Sequence, residues 1–252
     1  MSVQEHRTEA PGLANPVVSG LRDVGWAAGD IDTALGTPVT GTAEWDAFTA
    51  SWEDLARDPF MADGGDYRLR RYSEFDCTAD EVRLLPHKAY EQAKEINRLN
   101  GGVPRLFEPF SDRVAHGPVA HTLLSWCARQ LDETEDRGPR TWYAQVFQNR
   151  ILARPGTAGK PTPEGVHHDG VDYVFTVVID RKGITGGTSS LYEALPDGRH
   201  GKRIVSVEMA PPGGFLFNDD VRTMHGVTPV VPADGESEGY RDTFIAVLSR
   251  RP

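Results

Sequence analysis

From Trp142 onward the chain is a succession of short aromatic and β-branched segments cut by turn formers, which restricts that half to an antiparallel, mainly β architecture. Trp142 to Phe147, Tyr173 to Ile179, Arg203 to Val207, Phe215 to Phe217 and Thr243 to Leu248 read as strands. Between them lie Pro155-Gly156, Gly186-Gly187, Pro196-Asp197-Gly198, Pro211-Pro212-Gly213-Gly214 and Asp234-Gly235, all of which favour turns. Short strands at this spacing predict a sandwich or jelly roll rather than a parallel α/β sheet.

The first half, to about residue 140, reads helical. Trp45, Phe48, Trp52 and Leu55 form one apolar stripe that Thr42 can cap and Asp58-Pro59 would end. A second helix is expected after Pro86, through Tyr90, Ala93 and Ile96 to Leu99, stopping at Asn100-Gly101-Gly102. A third starts at Pro118 and carries Leu123, Leu124, Cys127 and Leu131 on one side. These helices would pack outside the sheet. Residues 1–20, with their Pro, Gly and polar content, are expected to be loosely held. Residues 21–252 form one expected domain, with the helical part to about 140 and the β core over 141–252.

Composition narrows the partners. With 37 acidic against 27 basic side chains the formal charge is −10, which argues against a nucleic-acid binder, since neutralising phosphates takes a basic face. Runs such as Ala246-Val247-Leu248 fall far short of the ~18 apolar residues that span a bilayer, so no membrane association is expected. Met1 to Arg7 leads into no apolar stretch, which predicts a cytoplasmic protein. Cys77 and Cys127 are too few for a disulfide framework and read as buried thiols.

Chemistry concentrates in the strand-rich half. Gly165-Val166-His167-His168-Asp169-Gly170 holds a His-x-Asp pair, whose outer side chains share a face of an extended segment. Roughly one such pair arises by chance in a chain of this composition, so the pair alone decides nothing. Its weight comes from His225, ahead of Gly226-Val227, and from Arg241-Asp242-Thr243 sixteen residues later. Two imidazoles and one carboxylate on one face of an octahedral ferrous ion leave three adjacent positions open. A 2-oxo acid fills two of them and leaves one for O2. The far carboxylate of that acid needs a planar charged fork, a role Arg241 fits, and Thr243 on the same strand face could donate a further hydrogen bond.

At these residues the chain resembles the bacterial 2-oxoglutarate/Fe(II)-dependent oxygenases of the L-isoleucine 4-hydroxylase type, which act on free amino acids. The resemblance covers most of the chain and rests on Asp58 to Gly65 with Tyr67 to Ser73, on Pro163 to Gly170, on Gly186 to Tyr192 and on Met224 to Pro229. It implies iron ligation by His167, Asp169 and His225, 2-oxoglutarate binding by Arg241, and a double-stranded β-helix (jelly-roll, cupin-like) core with flanking helices. Fe(II), 2-oxoglutarate and O2 are the implied cofactors. Catalytic and metal roles then fall on the same three residues. His168 takes the variable place of the motif and is expected to point away.

For the substrate, a free amino acid needs a guanidinium for its carboxylate and an acid for its ammonium. Arg68, Arg70 and Arg71 form the most basic cluster in an acidic chain; a solvated edge strand is the equally weighted alternative. Gln148 and Arg150, which share one strand face, are weaker candidates, with Gln145 on the other face. Glu164 is a candidate for the amine, or else a surface carboxylate. Asp219 and Asp220 could orient ligands near His225 or simply make a turn. The composition, rich in Gly and Ala and poor in Lys, suits a high-GC bacterium and a role in specialised metabolism such as antibiotic biosynthesis. A zinc-dependent hydrolase on the same His/Asp/His site, or a non-redox cupin-like metal- or ligand-binding protein, are the competing readings, and the hydrolase would leave Arg241 without a role.

Overall fold

The computed structural model of the protein describes residues 15–61, 63–94, 96 and 101–251. Helix α1 (Pro16–Val24) is followed by β1 (Trp26–Asp30), α2 (Ile31–Leu35), α3 (Ala43–Thr49) and a 3-10 turn over Ala50–Asp54. Strands β2 (Ala56–Arg57), β3 (Arg68–Cys77) and β4 (Val82–Leu84) precede α4 (Asp112–Ala115) and α5 (Pro118–Glu135). The rest is β5 (Trp142–Ala153), β6 (Tyr173–Lys182), β7 (Ile184–Gly186), β8 (Ser189–Ala194), β9 (His200–Val207), β10 (Gly214–Asp219), β11 (Thr223–Val227), β12 (Val230–Pro232) and β13 (Gly239–Arg250).

The antiparallel major sheet runs β1-β10-β6-β13-β5-β3-β2, with β4 also on β3. A smaller sheet, β11-β8-β9, and the pair β12-β7 complete a jelly roll. Val178 and Leu216 of the major sheet pack against Leu191 of the smaller one, which joins the two layers. The five strands read from sequence all form, and each is longer than read.

Period-two alternation gives the major sheet two different faces. On β6, Tyr173, Phe175, Val177 and Ile179 face the helices, as do Phe244, Ala246 and Leu248 on β13. Helix α5 lays Leu123, Leu124, Cys127 and Leu131 onto that face, and its Trp126 meets the rings of Phe175, Phe215 and Phe217 at 5.5–6.1 Å. Helix α3 is capped as expected, the Trp45 N–H donating to Thr42 Oγ1, and Trp45, Phe48, Trp52 and Leu55 are all buried, the last turn tightening to 3-10. Both cysteines are buried and free.

Three expectations need correction. The first half is not purely helical: β1, β3 and β4 join the major sheet. The helix expected after Pro86 does not form in its described part, because Tyr90 and Arg105 exchange backbone hydrogen bonds in an isolated bridge and the Tyr90 ring packs on Tyr72 and Phe147. Its remainder, Ile96 excepted, lies outside the described residues to residue 100. Of the segment expected to be loose over 1–20, residues 1–14 are likewise outside; from Asn15 on the chain is α1, capped by Asn15 and anchored by buried Val17, Val18 and Leu21. No helix among the described residues is long and apolar enough to cross a membrane.

Candidate active site

The inward face of the major sheet lines a cavity of about 970 Å³, mouth included. Alternation puts Thr243, Ile245 and Val247 of β13, Val174 and Thr176 of β6, and Leu216 and Asn218 of β10 on this wall. His225 of β11 and the loop carrying Glu164, His167 and Asp169 close the other side.

His167 and His225 pair in an isolated antiparallel bridge, each N–H donating to the other's carbonyl at 2.9 Å. That bridge sets the imidazole centroids 4.4 Å apart. Asp169 Oδ1 lies 3.8 Å from His167 Nε2, and Asp169 Oδ2 lies 3.6 Å from His225 Nε2. One ligand atom from each of the three residues fits within a 4.8 Å group. His167 Nδ1 sits 3.0 Å from the Gly165 carbonyl, so a proton there leaves the Nε2 lone pair facing Asp169. Burial, then the neighbouring His167, push the His225 pKa down to about 3, which keeps its imidazole neutral. Burial also raises the Asp169 pKa against the pull of His167. Two imidazoles converging on a half-buried carboxylate is a donor set that fits a divalent ion with open positions.

Asp220 holds this arrangement from behind. Its carboxylate accepts from the backbone N–H groups of Asp169, Gly170 and Val171, and Oδ1 lies 3.7 Å from His225 Nδ1, a nitrogen with no other partner among the described residues. Asp219 instead accepts from the Val221 and Arg222 N–H groups and makes the turn, so the two roles weighed for this pair are divided between them. His168 points away, its Nδ1 at 2.6 Å from the Asp220 carbonyl. Outer partners of metal-binding imidazoles typically matter 10–100-fold in affinity. Asp220→Asn is therefore expected to weaken Fe(II) binding about 10–100-fold, measured by anaerobic metal titration.

Arg241 is 4% exposed and Thr243 1%. Arg241 forms no ion pair among the described residues and its Nη2 has no partner; burial and Arg181 lower its pKa to about 10, which leaves it charged. Gly187, at φ +74°, makes room for it, since a Cβ there would stand 3.0 Å from Arg241 Cδ. A buried guanidinium with a vacant N–H fits the carboxylate of a 2-oxo acid.

Of the basic cluster, Arg68 and Arg70 line the cavity and are buried, because β3 is an interior strand between β5 and the β2 and β4 edge segments, not a solvated edge. Asp58 accepts from Arg68 Nε at 2.7 Å and lies 3.3 Å from Arg70 Nε. Arg71 is on the opposite face, donating to the Asp54 and Pro109 carbonyls, so it is removed from the substrate candidates. Gln148 and Arg150 do share a face, but it is the helix face: Gln148 donates to Ser51 Oγ and Arg150 grips Asp242 and Glu53. The cavity receives Phe147, Asn149 and Ile151 of β5 instead, which removes Gln148 and Arg150 as well. Gln145 donates to the Tyr72 hydroxyl. Glu164 does line the cavity, with Oε1 3.5 Å from His167 Nε2. Sequence reasoning missed Tyr90, Gln92 and Arg105, which also line it. No local pattern marked them.

Residues 49–247 match the family model described as 2OG-Fe dioxygenase. Among solved structures, a bsmA homologue from Methylobium petroleophilum PM1 is 31% identical with a TM-score of 0.80, over 93% of this chain and 92% of that one. IDO from Bacillus thuringiensis is 17% identical with a TM-score of 0.75, over 94% and 98%, a likeness of fold. Among curated proteins, the bifunctional enzyme flvA of Aspergillus flavus is 22% identical over 232 residues, 83% of this chain. The chain spans 27% of the length of that relative.

Proposed function

Because the chain belongs to the 2OG-Fe dioxygenase family, we propose that it oxidises an unactivated C–H bond of a free amino acid or small amino-acid derivative, in the manner of the L-isoleucine 4-hydroxylase type. Enzymes of the family use Fe(II), 2-oxoglutarate and O2. When bound, these supply the oxidising power: 2-oxoglutarate, O2 and R–H become succinate, CO2 and R–OH, the keto acid giving two electrons and the C–H bond two. Desaturation or ring closure consumes the same reagents and releases water instead of placing oxygen on the product.

The chain's own residues bind and orient. His167, Asp169 and His225 hold the iron, with Gly165 and Asp220 fixing the imidazoles. Arg241 and Thr243 take the distal carboxylate of 2-oxoglutarate. Val174, Leu216, Ile245 and Val247 give the cavity a dry apolar wall that excludes water from the reacting carbon. The observation that carries the substrate class is one cavity that presents Glu164 on the metal side and buried Arg68 and Arg70 on the wall. That polarity matches an ammonium and a carboxylate on one small molecule. The partner is thus a small molecule rather than a nucleic acid or a membrane, and the product belongs to specialised metabolism. A zinc hydrolase on the same three ligands has no use for the vacant Arg241 fork.

The test is anaerobic. Fe(II) and then 2-oxoglutarate are added to metal-free protein, and the visible charge-transfer band of a chelated 2-oxo acid is expected. Amino acids are then supplied with O2 and scored by succinate release and product mass. Iron binding without the band would defeat the assignment of Arg241, and a band with no amino acid oxidised would defeat the substrate class.

A further inference from the structure

We propose that Arg105 and Arg70 form a second anion site, on the cavity wall formed by β3 and the Tyr90–Arg105 bridge, that clamps a carboxylate of the substrate being oxidised. The inference deepens the amino-acid reading and rests on it for the identity of the ligand.

Arg105 is 3% exposed and Arg70 8%, and both line the cavity that holds the metal triad. Arg68 and Arg70 share a single carboxylate, Asp58, which burial disfavours as an anion but which the two guanidiniums keep charged. Arg105 has no carboxylate within ion-pair distance among the described residues. Nε of Arg105 is buried without a hydrogen-bond partner among the described residues, and Nε of Arg70, 3.3 Å from the Asp58 carboxylate, makes no hydrogen bond to it. Three guanidiniums against Asp58 leave this wall two charges positive, and the Glu164 carboxylate, acting on Arg105 across the cavity, offsets one of them. Buried charge lacking a partner is costly, so such a wall gains most from an anion.

The forks are already positioned. The Arg70 guanidinium lies 5.1 Å from the ring centres of Phe107 and of Phe147, and that of Arg105 lies 4.7 Å from the Tyr90 ring. These ring faces hold the cations in place at little entropic cost to a ligand. Arg105 Nη2 donates to Gln92 Oε1 at 2.9 Å, and Gln92 Nε2 reaches the Asp169 carbonyl at 3.4 Å. That chain of contacts fixes the anion site relative to the metal loop. With a carboxylate on Arg70 and Arg105 and the ammonium toward Glu164, an α-amino acid would be held at both ends of its polar head, its side chain free to lie along Val174, Leu216 and Ile245. Arg241 is left for the co-substrate.

The probe is butanoate, titrated by calorimetry into protein loaded with Fe(II) and 2-oxoglutarate under argon, so that Arg241 is already occupied. Butanoate is expected to bind at least tenfold more tightly than butanamide, and Arg105→Gln to lower its affinity at least tenfold while leaving butanamide unaffected. Arg105→Lys, which keeps the charge and loses the fork, is expected to fall between. The 2-oxoglutarate band serves as the folding control and should persist in both variants. Equal binding of butanoate and butanamide, or unchanged butanoate binding in Arg105→Gln with the band intact, would overturn the site. Butanoate binding that depends on Arg105, with no amino acid turned over in the panel, would uphold the site and overturn only the amino-acid reading.

Discussion

His225→Ala is expected to abolish turnover and the visible band of the iron–2-oxoglutarate complex together. The imidazole lies beside that of His167, centroids 4.4 Å apart, and its Nε2 is one of the three ligand atoms that His167, Asp169 and His225 bring together among the described residues. An alanine leaves a two-donor site of His167 and Asp169. Losing an outer partner of a metal ligand typically costs 10–100-fold, and losing the ligand itself should exceed that, so the loss of iron affinity is set at more than about 100-fold. Anaerobic Fe(II) titration measures it. Far-ultraviolet circular dichroism should stay close to that of the parent, because the bridge joining His167 and His225 is made by backbone atoms that alanine keeps. Turnover at normal iron affinity in His225→Ala would remove His225 from the ligand set.

Arg241→Gln should act on a different quantity. The guanidinium is buried, charged and without an ion-pair partner among the described residues, so its attraction for an incoming carboxylate is little screened. Truncating one member of a buried, hydrogen-bonded charge pair costs about 2–5 kcal/mol. The KM for 2-oxoglutarate should therefore rise about 30-fold or more, with iron affinity unchanged, since Arg241 takes no part in holding the metal. Separate titrations of iron and of 2-oxoglutarate resolve the two. An unaltered KM would mean that the co-substrate carboxylate is gripped elsewhere, with Arg68, Arg70 and Arg105 the other guanidiniums lining the cavity.

Much of the site was legible because its chemistry is local. His167 and Asp169 are two residues apart in an extended segment, and Arg241 and Thr243 two apart on a strand, so each pair shares a face whatever the rest of the chain does. Arg105 was not legible, since what places it in the cavity is a bridge to Tyr90, fifteen residues earlier, in a stretch whose apolar spacing imitated a helix. Strand β3 was obscured for a related reason. Its arginines look like a solvated edge until Asp58 and the Phe107 and Phe147 rings are brought against them. The helices α3 and α5 emerged clearly, because a cap or an N-terminal proline and a 3.6-residue stripe are both short-range signals.

The sequence alone determined the β-rich half, the two outer helices and the residue types that can hold iron and a 2-oxo acid. It also determined that Gln148 and Arg150 lie together, and that Arg68 and Arg70 do. Packing against α3 and the 3-10 turn on one side and the open cavity on the other turns the first pair toward the helices and the second toward the cavity. Alternation along a strand fixes which side chains share a face, but which face is buried against helices and which against a cavity is set by what packs on the sheet.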